Sequence, residues 1–184
     1  MHEKLLVQQC APTLSGLKTG NMFSCPFKDD AEMKESLRKY NRIFTKKGLR
    51  VLPLRKGKNS SLIYVYRPSA LSCDLANDVA CRILNERGYN CEKPQLCIKK
   101  LMNKLKKGEK FPHEIGLFLG YPPEDVEGFI NNKAQNCKMV GCWKVYGDEN
   151  AAKQKFECYK KCTAACCKKH ENGCPLDKLA VCIA

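Results

Sequence analysis

Apolar and polar positions alternate along this chain as a series of helical stripes, interrupted once by strand-like residues. Met33, Leu37, Tyr40 and Phe44 recur at helical spacing behind Asp29 and Asp30, either of which suits an N-cap, and Gly48 closes the segment. Leu75, Val79, Ala80, Ile83 and Leu84 form a second stripe, closed by Gly88. Cys97, Ile98, Leu101, Met102 and Leu105 form a third, opened by Pro94 and closed by Gly108. A first helix is expected over Glu3–Gln9, stopped near Pro12. Two short helices are expected from Pro112 toward Leu119 and from Pro123 to about Asn131, the latter with Glu124 and Asp125 favourably placed in its first turn. A long helix is expected over about Glu149–His170, followed by a short one from Leu176.

Strand-like residues fall at Leu49–Leu54 and Leu62–Tyr66, joined by the polar segment Arg55–Ser61, and again at Met139–Tyr146. Pro53 cannot donate to a ladder, which predicts an edge or bulged strand. Two strands adjoin and the third lies far along the chain, so regular βαβ winding is excluded. The pattern predicts an α+β fold: a small, mainly antiparallel sheet of about three strands with several packed helices. It reads as one domain over 1–184, with a helical segment at about 149–184.

Composition adds one unusual term. The chain has 14 cysteines in 184 residues, and no two are spaced C-x-x-C. That spacing rules against zinc-ribbon, thioredoxin and ferredoxin patterns. The apolar run Leu5–Val7 is much shorter than a secretory core of about 7–15 residues, and no stretch approaches the ~20 apolar residues of a membrane span. The expectation is a cytoplasmic protein with no membrane span, whose thiols are mostly unoxidised and mostly packed as small apolar residues. Net charge is +14. Lysines concentrate at Lys99, Lys100, Lys104, Lys106, Lys107 and Lys110, and again at Lys160, Lys161, Lys168 and Lys169, a field that attracts phosphates and nucleic acid. A solvated lysine surface is the alternative. Glycines match neither a phosphate-binding loop nor a dinucleotide fingerprint, and His113-Glu114 lacks the second histidine of a zincin, since position 117 is Leu.

Candidate chemistry gathers at a few positions. Cys10 precedes Ala11-Pro12, where the helix is expected to break. A thiol at such a site can have its pKa lowered, and His113, in the first turn of a short helix, is a neutral base that could pair with it. Glu114 or Asp148 would orient that pair. Cys158 and Cys162, one helical turn apart, could share a soft metal or an iron–sulfur centre, or face the core. Trp143, Lys144, Tyr146 and Asp148 put an indole, an ammonium, a phenol and a carboxylate at a strand end. With Glu114 and Tyr121 they would line a ligand pocket between that strand end and the His113 helix. Asp148 equally suits the N-cap of the long helix.

Several longer motifs carry a resemblance. Cys10-Ala11-Pro12-Thr13-Leu14, Arg67-Pro68, Gly88-Tyr89, the block from Phe111 to Pro122, Glu124–Ile130, Trp143–Asp148 and Tyr159–Cys162 together resemble a family of bacterial proteins known only as a domain of unknown function. The resemblance covers nearly the whole chain and implies a single-domain cytosolic protein with no established activity. The residues themselves support two readings. One is a module that binds a small anionic ligand or a metal, with thiol-dependent redox chemistry. The other is a non-catalytic module whose lysines bind nucleic acid or protein.

Overall fold

The computed structural model describes residues 1–108 and 111–182, so Lys110 of the first lysine cluster lies outside the described residues. The fold is α+β, with a three-stranded antiparallel sheet, a separate two-stranded hairpin and helices around them. It divides into two compact units, Met1–Ser69 with Tyr159–Ala184, and Ala70–Cys158. Among the described residues no helix is long and apolar enough to cross a membrane.

The first unit is built on the sheet. Strand β1 (Gly20–Pro26) and strand β2 (Arg50–Lys56) flank the central β3 (Ser60–Tyr66) in the order β1-β3-β2, all pairs antiparallel. Strand β2 is therefore an edge, and its register shifts between Pro53 and Arg55, as the missing proline N–H requires. Helix α1 (Glu3–Leu14) and helix α2 (Asp30–Phe44) supply Leu6, Cys10, Leu14, Tyr40 and Phe44 to a core that includes Phe23, Ile63 and Val65 of the sheet. Asp29 caps α2 by accepting from the Glu32 amide at 2.8 Å. A 3-10 turn follows at Thr45–Lys47, and Gly48, at φ +70°, reverses the chain into β2.

Two sequence expectations are corrected here. Helix α1 does not stop near Pro12 but runs to Leu14 with the proline inside its last turn, because Cys10, Ala11 and Leu14 are fully buried and packing outweighs the lost bond. The third strand of the sheet is Gly20–Pro26, not Met139–Tyr146. The latter stretch contributes only β4 (Met139–Val140) and β5 (Lys144–Val145), a two-residue pairing across a turn at Gly141–Trp143.

The second unit is mostly helical. Helix α3 (Pro68–Leu75) ends before Asn77, whose side chain caps α4 (Asp78–Glu86) through the Val79 and Ala80 amides. The apolar stripe through Leu75 and Leu84 is thus two helices rather than one. Helix α5 (Pro94–Lys107), the short α6 (Ile115–Phe118) and α7 (Pro123–Asn131) follow. Arg82 of α4 pairs with Glu127 of α7 at 2.8 Å. Helix α8 (Glu149–Glu171) contributes residues 149–158 to this unit and the remainder to the first, where α9 (Leu176–Leu179) also packs.

Arg67, just past β3, is 2% exposed. Its Nε donates to the Thr13 carbonyl at 2.9 Å, Nη2 to the carbonyls of Leu14 and Val181 at 2.8 Å each, and Nη1 to Lys47 at 3.1 Å. Thr13 and Leu14 carry the last carbonyls of α1, which also accept the amides of Gly16 at 3.2 Å and Val181 at 3.0 Å, so the guanidinium adds a second, charged donor at that helix end and ties it to two other segments. Burial lowers the Arg67 pKa, with Cys182 opposing the shift. We expect Arg67→Met to lower stability by about 3–5 kcal/mol, since four charge-assisted bonds are lost at once, two of them to the Lys47 and Val181 carbonyls. Arg67→Lys should recover only part, because an ammonium lacks the planar fork. Urea midpoints of the three proteins check this; an unchanged midpoint in Arg67→Met would contradict it.

Candidate functional site

Within the Ala70–Cys158 unit, one buried carboxylate organises the segment between α7 and α8. Asp125, in the first turn of α7, is 3% exposed. Its Oδ2 accepts from Trp143 Nε1 at 2.6 Å, and its Oδ1 accepts from the amides of Tyr146 and Gly147 at 2.7 Å each. The β4–β5 hairpin is thereby fixed against α7. A Cβ at Gly128 would meet the Tyr146 side chain at 2.5 Å, so only glycine allows this approach. The Tyr146 hydroxyl is buried with no hydrogen-bond partner among the described residues. Trp143 is sandwiched: Tyr121 stacks on it at 4.8 Å and Phe156 meets it edge-on at 4.5 Å.

A second buried carboxylate lies beneath a lysine-rich wall. Glu114, 4% exposed, accepts from the Tyr89 hydroxyl at 2.9 Å and from Lys104 Nζ at 2.6 Å, with Arg87 Nε at 3.8 Å. Burial pushes the Glu114 carboxyl up, but bonds from Lys104, its own amide and Tyr89 outweigh it, and the net shift is downward. Tyr89 moves the other way, raised by burial and then by the charge of Glu114. Lys104 also lies over the Tyr89 ring at 4.5 Å. Lys100 donates to the Gly88 carbonyl.

Two depressions open on this framework. One, of about 1030 Å³, is lined by Arg87, Lys99, Lys100, Lys104, Lys106 and Lys107, together with Glu114 and apolar residues. The other, of about 450 Å³, is lined by Tyr121, Phe129, Trp143, Lys144, Val140 and neighbours. Phe111 and His113 belong to the walls of both. His113 is exposed, with its ring 5.1 Å from Phe129.

The sequence model of a family described as a protein of unknown function, DUF3793, matches residues 6–180. The chain belongs to that family. No curated protein and no solved structure matches it.

In this DUF3793 chain, Tyr121, Trp143 and Lys144 line the smaller depression, and Glu114 lines the larger. Asp148 is spent on the N-cap of α8, accepting from the amides of Asn150 at 2.8 Å and Ala151 at 3.0 Å. The sequence does not single out Asp125, Tyr89 or Arg87 as functional, and it marks Lys104 only as one of a lysine cluster. Asp125 read only as a complement to a helix dipole, and Tyr89 only as part of the Gly88-Tyr89 motif.

The thiols fall elsewhere. Cys10 lies in the other unit, is fully buried, and burial raises its pKa well above the ordinary thiol value, opposed by Lys18. This reverses the expected activation, because Pro12 does not end the helix and the sulfur is sealed in the core. Cys158 is exposed; Cys162 is half-buried and bonds to Ser15 Oγ at 3.3 Å. Among the described residues no group of three or more His, Cys, Asp or Glu is placed to hold a metal ion. Cys81 and Cys91 form one disulfide among the described residues; the other twelve cysteines lie outside it.

Glu114 gives a signed pH prediction. A lowered folded pKa contributes stability that is complete above the unfolded value of about 4.3 and is lost as pH falls below it. Glu114→Gln should cost about 2 kcal/mol at pH 7. Its deficit against wild type should hold constant down to about pH 5 and shrink below about pH 4. Urea midpoints across pH measure it; a deficit that grows on acidification has the wrong sign. A maleimide should label Cys73, Cys142, Cys158 and Cys182 first and Cys10 only on unfolding. Native-state labelling of Cys10 at the rate of the exposed thiols, read by peptide mass spectrometry, would contradict its burial.

Proposed function

We propose that this protein binds a small anionic ligand in the lysine-lined cavity of the Ala70–Cys158 unit. The observation that carries the reading is the charge balance of that wall. Among the described residues, Arg87, Lys99, Lys100, Lys104, Lys106 and Lys107 line the cavity of about 1030 Å³ with one carboxylate, Glu114. Glu114 offsets only part of that charge, through Lys104 and Arg87. Lys100 is held by a neutral carbonyl, so its charge is uncompensated there. A concave surface with excess positive charge concentrates phosphates and carboxylates. The volume suits a small molecule of the usual pocket range, about 300–1,000 Å³. Among the described residues the cavity's lining includes no cysteine, so thiol chemistry does not enter the reading.

Inorganic pyrophosphate is the probe. Calorimetry should show binding that weakens as salt is raised, because exposed lysines are screened. The double substitution Lys99→Glu with Lys107→Glu, both exposed side chains, should weaken it at least tenfold without changing the urea midpoint. Absence of binding at low salt, or equal binding by the double variant, would sink the proposal. A short oligonucleotide in the same titration tests the alternative: if it outcompetes pyrophosphate, the lysines serve nucleic acid instead.

A further inference from the structure

The smaller depression bears on what kind of anion is bound, and this step rests on the anion-binding reading above. Its walls are aromatic: the Tyr121–Trp143 stack at 4.8 Å on one side, in which Trp143 is already covered by Tyr121, and Phe129 with the tilted His113 ring on another. Apart from the His113 imidazole, the polar side chains in those walls already have internal acceptors or donors. The Trp143 indole N–H is given to Asp125, and Asp125 also holds two backbone amides. The Lys144 ammonium donates to the Ala134 carbonyl at 2.6 Å, and the Tyr121 hydroxyl to the Cys142 carbonyl at 3.3 Å. An entering group therefore meets ring faces and dispersion contacts, the surroundings that favour another π-system. This slot adjoins the cationic cavity, because Phe111 and His113 line both. A bare anion would leave the slot unused, and an uncharged aromatic would leave the lysines unused.

We infer that the ligand is a phosphorylated aromatic heterocycle of the nucleotide class. Its phosphates sit among Lys99, Lys100, Lys104 and Arg87, and its ring sits against Trp143, Tyr121 and Phe129, with His113 at the junction. Stacking of this kind is tolerant of ring identity, so the inference is a class of ligand rather than one base.

Trp143 is the only tryptophan in the chain, so its fluorescence reports on the slot directly. Adenosine, guanosine and uridine diphosphates are titrated alongside inorganic pyrophosphate and octyl phosphate, with excitation on the red edge of the indole band. At least one nucleoside diphosphate should bind ten or more times tighter than pyrophosphate and quench Trp143, while pyrophosphate binds without quenching. Phe129→Ala should erase the nucleotide's advantage and leave pyrophosphate binding unchanged. Phe111→Ala, at a side chain 55% exposed and so safe for folding, should do so in part. Equal affinity for nucleotides and pyrophosphate, with both weakened by Lys99→Glu, overturns this inference and leaves the anion site standing. Octyl phosphate matching the nucleotides overturns the aromatic class. No binding by any probe overturns both proposals.

Discussion

A charge taken out of water must be surrounded by hydrogen-bond partners, and this requirement shapes the irregular parts of both units. Arg67 gathers carbonyls from the end of α1, from Lys47 and from Val181. Asp125 gathers an indole N–H and two amides from the hairpin and the residues after it. Glu114 gathers Tyr89 and Lys104. Except for Lys104 on α5 and the end of α1, the partners come from segments that propensity alone would leave undecided. Removing a buried charge's partner costs more than removing an apolar contact of the same size, so these three side chains fix loop geometry more firmly than the loops' own sequences do.

That requirement explains what the sequence revealed and what it hid. Helices α2 and α5 were legible because their buried residues repeat at helical spacing and their ends carry Asp29, Pro94, Gly48 and Gly108. The β2–β3 pair was legible because β-branched and aromatic residues flank a polar loop, and Pro53 marked its own irregularity. Strand β1 was not, since Gly20-Asn21-Met22-Phe23-Ser24-Cys25-Pro26 has little β-propensity and is a strand only because β3 offers it a ladder. Trp143–Asp148 drew attention as a polar cluster at a strand end. Its true organiser, Asp125, lies 18 residues before Trp143, and no local pattern links them. Glu114 was visible as a charged residue beside His113, but its partners come from α5 and from the segment after α4.

The cysteines show how far residue type alone misleads. Packing was expected to absorb most of them; Cys10, Cys25, Cys97 and Cys166 are buried, and Cys162, Cys167 and Cys174 pack half-buried against the core. The four buried ones behave as small apolar residues, and burial raises the pKa of Cys10, Cys25 and Cys97. Four more, Cys73, Cys142, Cys158 and Cys182, are exposed. The Cys81–Cys91 disulfide joins α4 to the segment before α5, and so closes the loop that carries Arg87 and Tyr89. Spacing in sequence fixed none of these fates; position relative to the core did.

Lysine behaves differently, because its role depends on what neutralises it. In the cavity wall, Lys104 is spent twice, on Glu114 and on the face of Tyr89, and is rigid for that reason. Lys99, Lys106 and Lys107 are exposed, hydrated and mobile at their tips. The exposed lysines raise the local concentration of anions but cannot orient one, since a flexible ammonium gains little from a fixed geometry. Lys104 and Arg87 can orient an anion but project less field into solvent, because Glu114 offsets them. A site that both attracts and positions needs the two kinds side by side. Helix α5 supplies them by setting Lys100 and Lys104 one turn apart on a half-buried face and Lys99, Lys106 and Lys107 on the exposed ones.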